Sequence, residues 1–555
     1  MVLGDELTGI IEGEVLSDDA SRKAYSRDAS LFEVTPEVVV LPKNVQDVKR
    51  VVRLVSQQKS SSPSLSVTGR SAGTDMTGGP LTESIVLDFI KYFNHIKEVG
   101  KSLNLNGTDA DGYAVVEPGV FYRDFEKATL AQGFLLPSYP ASREICAMGG
   151  IVNNNSGGEK SLVYGKTQDY VTKLRVVLSD GEEHELKPLT IKELEEKERL
   201  TNFEGEIYSS MHDLLEKNYN VVQRARPRVS KNSSGYNLWD VWNRKTFDLT
   251  KLFVGSQGTL GITTEATFRL VRTKPRSGML VVFLEDLTNL VEIIHAVLPL
   301  KPTSFESFDD HTLRLALKFF TGFLKLLGAR NLFALGFRFL PEFLMVVRGG
   351  LPKLVLLIEF EEDSQEEVHR KIGELEKKLT PFNLRMRRAE TKEEAKKYWA
   401  IRRESFNLLR HKVKNMQTAP FIDDFVVDPE KLPEFLPKLY VLLDKYKLLY
   451  TIAGHVGNGN FHIIPLMTLA NESDRAKIKP AADEVFDLIL KYDGSLTGEH
   501  NDGLIRSPYL RKAYGDEVYA LFEEVKHIFD PQNIFNPGKK VGADLEYALQ
   551  HLKRS

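Results

Sequence analysis

Three glycine-punctuated loops in the first half of the chain, each joined to an apolar, strand-like run, leave few architectures open. Leu65–Thr68 reads as a strand running into Gly69-Arg70-Ser71-Ala72-Gly73-Thr74-Asp75-Met76-Thr77-Gly78-Gly79. Backbone of this composition bends tightly and can turn several N–H groups toward one anionic group, such as a diphosphate. No Gly-Lys-Ser/Thr follows, and the Gly-x-Gly-x-x-Gly spacing is missing, so neither common phosphate fingerprint applies. Alone, the loop reads as an anion cradle or as a surface turn. The second loop, Met148-Gly149-Gly150-Ile151-Val152-Asn153-Asn154-Asn155-Ser156-Gly157-Gly158, follows Pro137–Ser142. Two such loops can enclose a long dinucleotide from both sides. The third, Gly255–Thr263, leads into a strand-like run at Thr264–Val271.

Around these loops the apolar pattern alternates short strands with helices. Val38–Leu41, Ile85–Asp88, Ala114–Val116 and Phe134–Leu136 read as buried strands. Helices are expected at Asn44–Gln58 and Tyr122–Gln132, a strand at Thr172–Leu178, and a charged helical insertion at 189–226. Beyond Pro275, Gly278–Phe283 and Lys353–Phe360 read as strands, with helices at Asn289–Val297 and Ser364–Leu379. That alternation predicts an antiparallel sheet with helices on one face.

The chemistry-bearing residues gather near the C-terminal end. Gly454-His455-Val456-Gly457-Asn458-Gly459-Asn460-Phe461-His462 is followed by Gly498-Glu499-His500-Asn501-Asp502-Gly503. His455 and His462 lie too far apart for adjacent turns of one helix. A tight Gly457–Gly459 turn could still aim both imidazoles at one ion. With Glu499 they would suit zinc, manganese or ferrous iron and leave positions open. A purely structural histidine pair is the alternative.

Composition removes several function classes. The 555 residues carry a formal charge of -3, which argues against general nucleic-acid binding. The single cysteine, Cys146, excludes a disulfide framework and any iron–sulfur cluster held by this chain's own thiolates. The acidic opening, with Asp5, Glu6, Glu12 and Glu14, shows no secretory signal, so a cytoplasmic location is expected. His311–Gly350 is rich in phenylalanine and basic residues, and charges interrupt it too often for a spanning helix. It reads as a segment lying on the inner face of a membrane, or as a lid on the chain's own core or on a second subunit of a homodimer.

Taken together, the loops, in this order and spacing, resemble the FAD-binding domain of the vanillyl-alcohol-oxidase type, the p-cresol-methylhydroxylase fold. The second half resembles the C-terminal domain of FAD-linked D-2-hydroxy-acid dehydrogenases: D-lactate dehydrogenase, the glycolate oxidase D subunit and D-2-hydroxyglutarate dehydrogenase. The resemblance implies an α+β protein. An N-terminal segment (1–35) would precede a FAD domain (36–273) and a substrate or cap domain (274–470) carrying the 311–350 insertion. A C-terminal helical segment (471–555) would complete both sites, its tail returning to the flavin.

The resemblance also assigns roles. Arg70, Ser71, Ala72, Gly73, Thr74, Asp75 and Thr77 of the first loop would lie along the FAD. Gly149, Gly150, Asn153, Asn154, Ser156 and Gly157 would do so from the second. Pro137, Ser142 and Ile262 would line the isoalloxazine or its linker, and Asn536 belongs to the returning tail. His455, His462 and Glu499 would hold the divalent metal. His500 would be the general base, and Asn460 a hydrogen-bonding group for substrate or flavin edge. Arg402, by its offset from Trp399, would grip the substrate carboxylate with its guanidinium fork. The implied reaction oxidises a D-2-hydroxy acid of the lactate or hydroxyglutarate type to the 2-oxo acid, with hydride passing to flavin N5.

Several positions depart from the family pattern. Gln257 stands where Glu is usual, Arg403 where Glu follows the arginine, and Asn501 where Gly follows the histidine. Ile422 occupies a position near which hydroxyglutarate-specific relatives can carry Lys. The first loop has no histidine and Cys146 is at the wrong spacing for a cysteinyl flavin, so the FAD is expected to be non-covalent. With no cluster of its own, the chain would need an external acceptor: a quinone, an electron-transfer flavoprotein or an iron–sulfur protein. The rival readings are an oxygen-using flavin oxidase acting on an alcohol or sugar, and a flavoprotein subunit of an electron-transfer complex.

Overall fold

The computed structural model describes residues 3–101, 110–318, 350–389, 391, 394–402 and 416–554. Its first sheet joins β1 (Glu14–Leu16), β2 (Val38–Leu41), β3 (Val67–Arg70) and β4 (Ile85–Asp88) in the order β1-β2-β4-β3. Both β2 and β3 run parallel to β4, so a crossover is required, and α1 (Val45–Gln58) supplies it. Asn44 caps α1 by accepting from Asp47 N–H at 3.1 Å, and Val48, Val51, Val52 and Val55 are buried under the sheet. The first loop leaves β3 at the carboxyl edge of this sheet.

A second, antiparallel sheet follows. Its strands are β5 (Ile96–Lys101), β6 (Gly112–Val116), β7 (Phe134–Leu135), β8 (Val171–Val177), β9 (Glu183–Leu186) and β10 (Ile262–Arg272). The order is β5-β6-β10-β8-β9, with β7 paired to the end of β10. The second loop folds into a short helix, α2 (Met148–Asn154), ended by Asn155 in the left-handed region. The charged insertion is helical as expected, with α3 (Ile191–Glu198) and α4 (Phe203–Lys217).

The third sheet carries the histidines. Its order is β14 (Arg385–Ala389), β11 (Arg276–Leu284), β13 (Leu354–Glu362), β12 (Ser304–Asp309), β17 (Leu449–His455), β18 (Asn460–Met467) and β15 (Gln417–Thr418), with β16 (Phe425–Val426) also on β18. All its pairings are antiparallel. The expectation of helices on one face needs correction. Leu280, Val282 and Leu284 pack with α5 (Leu290–Val297) and α6 (Gln365–Leu379), while Met279, Val281 and Phe283 meet Tyr398 and Trp399 of a helical stretch at 394–402. Cover on both faces is why β11 is apolar almost without alternation.

The C-terminal tail does return to the first sheet. Val67 N–H donates to Ile534 C=O at 2.8 Å and Asn536 N–H to Val67 C=O at 3.0 Å, and Ile534 and Phe535 join that sheet's core. Among the described residues no helix is long and apolar enough to cross a membrane. The membrane, lid and second-subunit expectations centre on 319–349, which lie outside the described residues, as does Arg403.

β17 and β18 form a hairpin in register His455↔Asn460 and Ala453↔His462. The reversal depends on Gly459, at φ +67°, where an added Cβ would lie 1.7 Å from Val427 C=O. Gly459→Ala should therefore destabilise the protein by about 2–4 kcal/mol, combining left-handed strain with a backbone clash, as read from urea or thermal unfolding.

Candidate active site

One cavity of about 890 Å³ is lined by residues of the first loop, the second loop and the histidines of the third sheet. That volume is at the upper end for small-molecule sites and suits an elongated ligand. The two loops meet at its wall: a Cβ on Gly149 would sit 2.6 Å from Ser71 Oγ. Every expected cofactor residue except Thr77, Pro137 and Asn536 lines this cavity, together with Arg402, His455, His462, Glu499 and His500.

The residues outside the lining work behind the wall. Thr77 N–H and Oγ1–H both donate to Asp75 Oδ1, at 2.6 and 2.7 Å, and tie the first loop into its turn. Pro137 is buried and, unlike its neighbours Tyr139 and Pro140, does not line the cavity. Asn536 donates its amide to Gly79 C=O (2.9 Å) and Gln257 C=O (2.7 Å), joining tail, first loop and third loop. Asn460 is spent in the same way, donating to Asp424 Oδ1 (3.0 Å) and Phe425 C=O (3.1 Å), with Lys231 Nζ 3.4 Å from its oxygen. Arg70 lines the cavity, but its guanidinium donates to the carbonyls of Arg27 (2.8 Å) and Tyr25 (3.3 Å) and clamps the N-terminal segment across the loop.

The hairpin stands His455 and His462 edge to face, with ring centroids 5.3 Å apart. His455 Nε2 lies 3.5 Å from Glu499 Oε1, and His462 Nε2 lies 4.0 Å from Glu499 Oε2. The outer nitrogens face other carboxylates: His455 Nδ1 is 2.6 Å from Glu306 Oε1, and His462 Nδ1 is 3.3 Å from Asp423 Oδ1. Neither His462 Nδ1 nor Asp423 Oδ1 completes a hydrogen bond at that distance. His500 Nδ1 pairs with Asp423 Oδ2 at 2.6 Å, leaving Nε2 as its remaining nitrogen.

Asp424 fixes the loop that carries Glu499 and His500. Its Oδ2 accepts from Glu499 N–H (2.8 Å), His500 N–H (2.7 Å) and Thr497 Oγ1–H. Asp424 itself sits at φ +68°, and so does Asn501. Asparagine tolerates that left-handed backbone, which explains how it replaces a glycine there. Donor atoms of Asp424, His462, Glu499 and His500 all lie within 4.8 Å of one another. His455 is not part of that group, although its Nε2 reaches Glu499 Oε1 at 3.5 Å, and three donated bonds already occupy Asp424 Oδ2.

Buried charge sets the protonation states. Burial alone would lower the His500 pKa, but Asp424 and Asp423 raise it to about 9. Burial would raise Asp423, yet His500 and His462 hold it far below the carboxylate range. Burial likewise opposes the charge on Glu499, and Lys231 with His455 keeps it well below its usual value. For His462 burial prevails and favours the neutral ring.

Sequence reasoning passed over Glu306, the second-layer roles of Asp423 and Asp424, and two lysines. Lys231 donates to Glu499 Oε1, and Lys166 donates to Gly498 C=O, Ser233 Oγ and Asn232 C=O (2.9 Å). Glu306 left one trace: an acidic residue between Phe305 and Phe308 in the run Ser304–Asp309, which proves wholly buried. The lysines left none, because they come from the first half of the chain.

Comparison with known proteins places this geometry. Residues 36–187 match the FAD binding domain, and residues 274–540 match the C-terminal domain of FAD linked oxidases. The chain belongs to the FAD-linked oxidases. It is 28% identical over 532 residues to D-2-hydroxyglutarate dehydrogenase of Pseudomonas putida, covering 95% of this chain and 50% of that protein. It therefore spans about half the length of the first curated relatives it matches. It is 27% identical to glycolate oxidase subunit GlcD of Bacillus subtilis, over 95% of this chain and 93% of that one. The D-lactate dehydrogenase of Archaeoglobus fulgidus is 26% identical, with 97% and 98% covered. Among solved structures, p-cresol methylhydroxylase with substrate bound aligns at a TM-score of 0.67 with 18% identity, covering 98% of this chain and 95% of that one, which gives the fold.

The Asp423–His500 pair gives this chain a dependence of stability on pH. A histidine whose folded-state pKa lies above its unfolded one stabilises the fold below about 6.5, and that contribution fades as pH rises through about 9. In EDTA, wild-type stability should fall by about 1–3 kcal/mol across that window, and Asp423→Asn should flatten the fall. Equal slopes in thermal melts of the two proteins would contradict this origin.

Proposed function

We propose that this chain is an FAD-dependent dehydrogenase that oxidises a D-2-hydroxy acid to the 2-oxo acid with the help of a divalent metal ion and an external electron acceptor. The observation that carries the reading is convergence. His455, His462, Glu499, His500 and Arg402 are far apart in sequence, yet they line one cavity together with the first two glycine loops.

The residues fit both groups. The two loops present small residues and backbone to an elongated cavity, as a dinucleotide requires. His455 Nε2, His462 Nε2 and Glu499 form a two-imidazole, one-carboxylate donor set of the kind taken by zinc, manganese or ferrous iron. A bound FAD supplies the hydride acceptor, and a bound ion lowers the pKa of the substrate hydroxyl.

The chain's own residues do the rest. Arg402, whose Nε is tied to Glu306 at 3.1 Å, turns its remaining guanidinium nitrogens to the substrate carboxylate. That grip presents one face of C2 to the flavin. With Nδ1 held by Asp423, His500 takes the hydroxyl proton at Nε2 in its neutral form, which a cation held beside it at Glu499 would favour against the pull of Asp424 and Asp423 toward about 9. Asp423 also stabilises the imidazolium that results, as a buried carboxylate behind a catalytic histidine does.

Two experiments test the reading. His500→Ala should keep FAD bound yet slow anaerobic flavin bleaching by D-lactate or D-2-hydroxyglutarate at least 100-fold in stopped flow, about the contribution of a positioned base. Bleaching at the wild-type rate would remove His500 from the reaction. EDTA should abolish most of the activity, and zinc, manganese or ferrous ion should restore it. Full activity in protein with no metal by elemental analysis, with peroxide formed, would favour an oxygen-using flavin oxidase.

A further inference from the structure

A buried carboxylate joins two parts of the site that the proposed reaction uses separately. Glu306, on β12, is 1% exposed, yet its strand neighbours Phe305 and Phe308 already supply the packing. Placing a carboxylate there costs several kcal/mol unless partners compensate it. Both of its oxygens are engaged: Oε1 lies 2.6 Å from His455 Nδ1, and Oε2 accepts from Arg402 Nε at 3.1 Å. The succession continues beyond His455, whose Nε2 is 3.5 Å from Glu499, which in turn pairs with Lys231. Arg402, Glu306, His455, Glu499 and Lys231 thus form one unbroken chain of polar contacts.

We propose that Glu306 is a positioning residue that couples the ion-binding imidazole of His455 to the carboxylate-binding guanidinium of Arg402, an inference that rests on the reading in the preceding subsection. By accepting from Nδ1 it fixes the tautomer that leaves the Nε2 lone pair for an ion. By accepting from Nε it holds the guanidinium so that its terminal nitrogens remain for the substrate. A change at either partner is then felt at the other through one shared group, and the coupling is reciprocal.

Glu306→Gln tests this, because glutamine keeps the shape but has one accepting oxygen and cannot serve both partners. The holoprotein would be titrated with Mn²⁺ by calorimetry and with propionate, an unreactive carboxylate, by flavin absorbance. E306Q should weaken Mn²⁺ at least tenfold, the usual scale for losing an outer-shell partner, and should weaken propionate as well. A double-mutant cycle guards against a merely structural defect. Arg402→Met offers no donor change to the ion, yet it should alter Mn²⁺ affinity about fivefold or more with Glu306 present and leave it unaltered in the E306Q background. The same R402M effect in both backgrounds, or an E306Q effect on one ligand alone, would overturn the coupling. Failure of the wild type to take up Mn²⁺ would instead sink the metal reading itself, whereas wild-type uptake that E306Q leaves unchanged sinks only the role of Glu306.

Discussion

The site hangs on the carboxylate of Asp424. Few single groups in the molecule hold so many separate segments: it accepts from two consecutive amides at Glu499 and His500, from Thr497, and from Asn460 on β18. A charged acceptor with several donors is among the stronger arrangements available in a buried setting. It is bought with a left-handed backbone at Asp424, a conformation that survives only where the surroundings over-determine it. This anchor joins the loop bearing Glu499 and His500 to the hairpin strand of His462, where Lys231 also bridges Glu499 and Asn460.

From that anchor the remaining geometry follows in layers. The hairpin turn at Gly459 brings His455 and His462 onto neighbouring strands, and Asp423 and Glu306 then face their outer nitrogens. Inner nitrogens face Glu499 as a consequence, not as an independent choice. The first two glycine loops line the same cavity as these groups, and Gly157 of the second loop packs against Glu499. In FAD-linked oxidases the flavin domain and the second domain are separate stretches of chain; here their contents become one site only through packing.

Much of this was legible in the sequence, and the limits have physical causes. Glycine loops after apolar runs point to an anion-binding edge because backbone freedom and exposed amides are local properties. Paired strands such as Ile85–Asp88 matched the expected range residue for residue, since a short wholly apolar run has little else to be. His455, His462 and Glu499 could be named from type and spacing. The direction of Asn460 could not, because Asp424 and Phe425, which take up its amide, are brought to it by strand pairing. The second face of the third sheet was misjudged for a related reason. Alternation reveals a solvent-facing side only when water is there, and Tyr398 and Trp399 replace water on that side.

Lys166 and Lys231 carry a consequence for how the molecule is put together. Both ammonium groups are buried, both originate before the second sheet is complete, and both end on the segment Gly498–Glu499. Burial draws Lys166 down to about 7, against the opposing pull of the Glu499 and Asp424 carboxylates. Severed from the latter half, Lys166 would keep Asn232 C=O and Ser233 Oγ but lose Gly498 C=O, and Lys231 would lose Glu499 and Asn460. The two portions are therefore not interchangeable modules: shuffling either against a foreign counterpart would have to bring along matching carbonyls and a matching acid, or swap the lysines for neutral residues in the same step.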